Sequence, residues 1–147
     1  ALSACLRSPI GQPDEKAMDT RLLGTWHCSS TDAESPGSAL VAIVRFDDSQ
    51  YYVDWKEGEK LTRYRAYPSR IGRVVVLNVE ELDGRFNPWP WAIVRATVDS
   101  AGALSLKMVN EELIVAKDEK AAVREIRKRI GDEAIYLTLA RCTAVQE

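Results

Sequence analysis

The chain has 147 residues, 46% of them apolar and 29% charged, with a formal net charge of −2 and a single histidine. A chain of this length is one domain that buries roughly 68–70% of its unfolded surface, so a sizeable core is possible without metals or extra chains. Its 8 glycines, 6 prolines and ordinary apolar content exclude a collagen-like or wholly disordered chain. No run reaches the ~18 apolar residues of a membrane-spanning helix, and the charge balance gives no basic footprint for nucleic acid.

The first informative residues are Leu2-Ser3-Ala4-Cys5, followed by a stretch to Glu15 that carries Pro9, Gly11 and Pro13. The four-residue motif resembles the lipobox of bacterial lipoproteins, which ends at a cysteine that is lipidated after signal cleavage. The resemblance implies a lipidation site at Cys5. Residues 1–15 then form a signal-peptide remnant and an extended tether, and residues 16–147 a single domain. Leu6 after the cysteine is similar to the pattern of outer-membrane-sorted members. With Cys5 lipidated, Cys28 and Cys142 remain, and such a pair in the oxidising periplasm reads as a disulfide. His27 and Cys28 make no metal pair, because adjacent strand residues point to opposite faces and no second ligand motif accompanies them.

Further along, the chain reads mostly as strands. Leu23 to Ser30 is the first and Ala39 to Phe46 the second, separated by the breaker Ser35-Pro36-Gly37-Ser38. Gln50 to Lys56 puts Tyr51, Val53 and Trp55 on one face, and Glu57-Gly58-Glu59 turns it into Lys60 to Tyr67, which is predicted to stop at Pro68. Arg73 to Leu82 holds the run Val74-Val75-Val76-Leu77, which suggests a strand covered on both faces. Trp91 to Asp99 and Leu104 to Asn110 form a hairpin around Ser100-Ala101-Gly102. A helix then starts at the N-cap Asp118, buries Ala122, Val123, Ile126 and Ile130 on one stripe, and ends at Gly131. Ala134 to Thr143 is the last strand. A long antiparallel meander leaves open edges unless it closes, and a Cys28–Cys142 bond would bring its first and last strands together. The predicted fold is therefore mainly β: an antiparallel, up-and-down, eight-stranded barrel with one α-helix before the last strand.

Leu22-Leu23-Gly24-Thr25-Trp26 resembles the lipocalin signature, in which a short helical lead-in precedes Gly-x-Trp on the first strand. The resemblance implies that Arg141, near the end of the last strand, packs across Trp26, and that Gly24, Trp26 and Arg141 close the barrel. The glycine is read as allowing close packing at the barrel floor. Two features depart from the family: its middle motif has no match, and the helix here precedes the last strand.

An eight-stranded barrel is either filled by side chains or holds one small ligand. The candidate ligand-binding residues are Tyr51, Trp55, Tyr64, Tyr67, Trp89, Trp91 and Met108, with Val53 and Ile93 as further inward positions. Phe86-Asn87-Pro88-Trp89-Pro90-Trp91 is a stiff aromatic loop, either a contact surface or a cap over an open end. Arg63 and Arg65 either receive an anionic group or are solvated, and Asp47-Asp48 is turn chemistry rather than a calcium loop. No nucleophile elbow, phosphate loop or zinc motif is present, so the expectation is a non-enzyme without cofactor or metal. Two functions remain open. One is a cell-envelope lipoprotein that binds a small apolar or amphipathic ligand in the barrel. The other is a solid barrel that binds an envelope protein. In both, Cys5 is the only link to the membrane, the protein lies on the periplasmic side, and no nucleic acid is involved.

Overall fold

The computed structural model describes residues 6–31, 36–84, 88–114 and 116–146. Eight strands close into an antiparallel up-and-down barrel: β1 (Gly24–Ser30), β2 (Ser38–Asp47), β3 (Gln50–Glu57), β4 (Lys60–Ile71), β5 (Val74–Glu81), β6 (Trp91–Val98), β7 (Leu104–Val109) and β8 (Tyr136–Ala144). Each strand pairs with its sequence neighbours, and β1 pairs with β8 to close the ring. Cys28 stands directly opposite Cys142 on those two strands, and the pair forms a disulfide with Cα atoms 4.0 Å apart. Helix α1 (Glu119–Lys128) lies before β8, with the Asp118 carboxylate accepting from the Ala121 N–H as its N-cap. The architecture is lipocalin-like, and it matches the fold read from the sequence.

Side chains alternate across the barrel wall, and this produces two cores. The inner one gathers Trp26, Cys28, Val41, Ile43, Tyr51, Trp55, Tyr64, Val79, Val94, Leu104 and Met108. The second lies outside the wall, over β4, β5 and β6. It contains Tyr67, Ile71, Val76, Trp91 and Ile93 from the strands, Ile126 and Ile130 from α1 and its end, and Leu6 and Ile10 from the amino-terminal stretch. The apolar run in β5 is thus covered on both faces, as its lack of alternation implied.

Residues 6–13 are therefore part of the fold and not a tether. Leu6 is 5% exposed and Ile10 1%. Leu6 exchanges backbone hydrogen bonds with Trp91, at 2.9 and 3.0 Å. The Asn78 side chain, fully buried, accepts from the Ile10 N–H at 2.7 Å and donates to the Ser69 hydroxyl, which donates onward to the Gln12 carbonyl at 2.6 Å. Tyr67 donates its hydroxyl to the Gly11 carbonyl. These bonds satisfy polar groups that would otherwise be buried without partners. Gly11 has φ of +96°, and a Cβ there would stand 3.0 Å from the Ser69 Cβ, so conformation and space both demand glycine.

Strand β4 does not stop at Pro68. It continues to Ile71, with Pro68 opposite Leu77. The β3 ladder ends at Ala66, so Pro68 points its missing N–H toward an edge with no strand to serve, where its carbonyl accepts from the Asp14 N–H at 2.8 Å.

Candidate ligand site

One end of the barrel is sealed. Two short 3₁₀ turns, Glu15–Ala17 and Thr20–Leu22, cross it, each started by an aspartate whose carboxylate accepts from an N–H two residues on. Leu22 plugs the end, and its carbonyl accepts from the Trp26 indole at 3.0 Å. The Tyr51 hydroxyl, whose pKa is pushed up chiefly by burial, accepts from the Asp19 N–H at 2.6 Å. Gly24 enters the strand at φ +135°, and a Cβ there would meet nothing within 4 Å. Its role is thus conformational, and the reading of close packing is corrected. Arg141 is corrected as well. Its neighbours Ala140 and Cys142 face inward, so its own side chain points out, 63% exposed and 3.9 Å from Asp99, on the opposite side of the wall from buried Trp26.

The interior is nearly full. A cavity of about 50 Å³ remains, walled by apolar atoms of Tyr51, Trp55, Tyr64, Leu77 and Val94 among others. Drug-sized ligands occupy roughly 300–1,000 Å³, so no acyl chain of ordinary length fits here.

The opposite end is open. It carries a pocket of about 400 Å³ between the end of β1, the start of β2, the end of β3 and the junction of β7 with β8. Trp55 and Leu139 line both this mouth and the cavity below, so they form its floor. Met108, Leu137 and Ala39 form apolar walls, while Ser30, Ser38 and Glu57 supply polar groups. The Trp55 indole donates to the Glu57 carboxylate at 2.8 Å, which fixes the ring. The Thr31 hydroxyl donates to the Thr138 carbonyl and ties the end of β1 to β8.

Of the sequence-predicted binding residues, Tyr51 and Tyr64 line the small cavity, Met108 the mouth, and Trp55 both. Tyr67 and Trp91 do not line the interior. Both point into the outer core and meet edge to face with ring centroids 5.8 Å apart. Their neighbours Ala66 and Ala92 take the inward positions, and strand alternation sends the aromatic rings out. Ile93 also lies in the outer core. Trp89 sits outside the barrel, 39% exposed, with the Arg7 guanidinium 4.0 Å from its ring centre. Phe86, Asn87 and Cys5, the lipidation site expected from the sequence, lie outside the described residues. Arg63 and Arg65 are engaged on the outer wall by Asp83 and Glu80, at 2.6 and 2.7 Å.

Leu137 and Leu139 were missed by sequence reasoning, and a bulge explains why. Leu106 pairs with Ala140 but Lys107 pairs with Thr138, so Leu139 is an extra residue on β8. The bulge flips the strand's parity, turning Leu137 into the mouth and Tyr136 out to the second core. Among the described residues no group of three or more His, Cys, Asp or Glu is arranged to hold a metal ion.

These features define a closed, eight-stranded, lipocalin-like barrel with one sealed end and one open mouth. The chain matches no family model, no curated protein and no solved structure.

Proposed function

We propose that this protein binds a small amphipathic ligand at the barrel mouth, its apolar part on Trp55, Met108 and Leu137 and its polar part toward the rim. The single observation that carries this reading is the mouth pocket of about 400 Å³ above an interior with room for only about 50 Å³. The ligand then sits on the floor of the mouth, formed by Trp55 and Leu139, rather than in the depth of the barrel. The disulfide supports an oxidising compartment, in keeping with a periplasmic envelope protein. The Leu2-Ser3-Ala4-Cys5 motif supports a lipid anchor at Cys5, which mass spectrometry of protein extracted from its host membrane tests directly.

Titration with a fluorescent fatty-acid analogue tests the site. Saturable binding is expected for the wild type, with a loss of about tenfold or more for Leu137→Arg, a half-exposed position where a charge displaces the apolar contact. Tyr67→Phe, in the outer core, should leave the affinity unchanged. Equal binding by Leu137→Arg removes the mouth as the site. Absence of binding altogether favours the solid, protein-binding barrel instead. The surface for that reading is the outer stripe of β2, where Leu40, Val44 and Phe46 are 45%, 52% and 68% exposed.

A further inference from the structure

The barrel wall has a slot between β5 and β6. Their ladder holds only four rungs, from Leu77↔Val94 to Glu80↔Trp91. Past Leu77 and Val94, toward the sealed end, the two strands run on as Val74–Val76 and Arg95–Val98 with no rung between them. Each of these segments is paired on its other side, the first to β4 and the second to β7, so their free edges face each other across the gap. A pocket of about 360 Å³ occupies the gap and is bounded below by the lead-in turn at Leu22. Leu22, Tyr51, Leu77 and Ala96 line both this pocket and the interior cavity, so the slot opens onto the apolar barrel core.

The rim of the slot carries an excess of positive charge, three arginines against Asp19. Arg21, Arg73 and Arg95 all border it. Arg21 is held by Asp19 at 2.8 Å, and Arg95 by Glu133 at 3.1 Å with its guanidinium over the Tyr136 ring. Arg73 stands on the tight turn between β4 and β5, is exposed, and has no ion-pair partner among the described residues. An apolar floor, strand edges without ladder partners and an uncommitted guanidinium at the entrance together suit a molecule with a short alkyl tail and an anionic head.

We propose that the β5–β6 slot is a second binding site, separate from the mouth, for a short-chain amphipathic carboxylate: its head on Arg73 and its tail along Val75, Leu77 and Ala96. Arg73 fixes the sign of the head group, and a pocket of about 360 Å³ suits a single short chain. The site does not depend on the mouth reading, because it uses the opposite half of the barrel.

Octanoate is the probe, followed by amide chemical shifts of the full chain. Saturable shifts concentrated at residues 74–76 and 95–97 are expected. Octanol, which lacks the charge, should bind about tenfold more weakly, the worth of one charge-assisted hydrogen bond. Arg73→Glu, at an exposed turn position, should weaken octanoate by about tenfold or more. Thr97→Trp, also exposed, should block the slot while leaving the rest of the spectrum in place. Leu137→Arg at the mouth should change nothing here. Shifts confined to residues 30, 38 and 137–139, equal affinities for octanoate and octanol, or unchanged affinity in both Arg73→Glu and Thr97→Trp would each overturn the proposal.

Discussion

The two cores of this protein are built on opposite faces of one wall and close by different means. The inner core is enclosed by topology: β1 meets β8, a disulfide crosses that seam, and every strand has a partner strand on both sides, although β5 and β6 pair over only half their length. The outer core is enclosed by additions. Helix α1 and residues 6–13 are laid over β4, β5 and β6; a buried polar network around Asn78 holds the amino-terminal stretch, and the Glu119 carboxylate of α1 accepts from the Arg7 N–H. The opposite wall, β1 to β3, carries no such cover among the described residues; its outward side chains are mostly polar on β1 and β3 but apolar on β2, where Leu40, Val44 and Phe46 stay exposed. Apolar residues on both faces of a strand therefore permit a second layer without ensuring one: β5 is covered on its outer face, whereas β2 is not.

The largest test of this contrast is the seam. Replacing Cys28 and Cys142 by Ser releases a loop of 114 residues and should lower stability by about 2–5 kcal/mol, read from urea midpoints. Both cores should then unfold together, since the outer one has no sheet to lie on without the barrel. A separate, earlier loss of the barrel with α1 still protected would break the comparison.

A smaller effect is expected for Ile10→Ala, which removes a buried anchor of the added layer and should cost about 2–4 kcal/mol. Hydrogen exchange sharpens the point. Amides of α1 and residues 6–13 should exchange faster in the variant, while those of β1, β2 and β8 keep their protection. Uniform loss of protection would show that the two layers are one cooperative unit.

The smallest effect concerns Glu111, beside the outer core. One of its carboxylate oxygens is buried without a hydrogen-bond partner. Burial, and secondarily the charge of Glu119, hold its pKa above the ordinary carboxyl range. A raised pKa means that the folded state keeps this proton to higher pH than the unfolded chain does. The contribution is therefore fully present at low pH and is lost as pH rises from the ordinary range through the raised value. Glu111→Gln should remove that slope and stabilise the neutral-pH protein by up to about 1 kcal/mol, checked by melting at pH 4 and pH 7. A steeper pH dependence in the variant would contradict the assignment.

Local chemistry in the sequence was enough for much of this. Alternation in β3, the turn Glu57-Gly58-Glu59, the Asp118 cap and the two-sided run in β5 each announce their element, because strand pleat, turn dihedrals and capping are short-range effects. Cys28 and Cys142 carried the one long-range inference, that the sheet closes. The sites were less legible. Trp55 and Met108 fell where they were placed, but Tyr67 and Trp91 went to the outer core, because an aromatic ring satisfies either face of a doubly covered strand equally well. Leu137 and Leu139 depend on a bulge, the slot on a ladder that stops early, and the docking of Leu6 and Ile10 on a surface that exists only once β4 to β6 are side by side. Composition and spacing decide what each segment can be. Which face of it is buried, and against what, is decided when distant segments compete for the same apolar surface, and that competition is settled only in three dimensions.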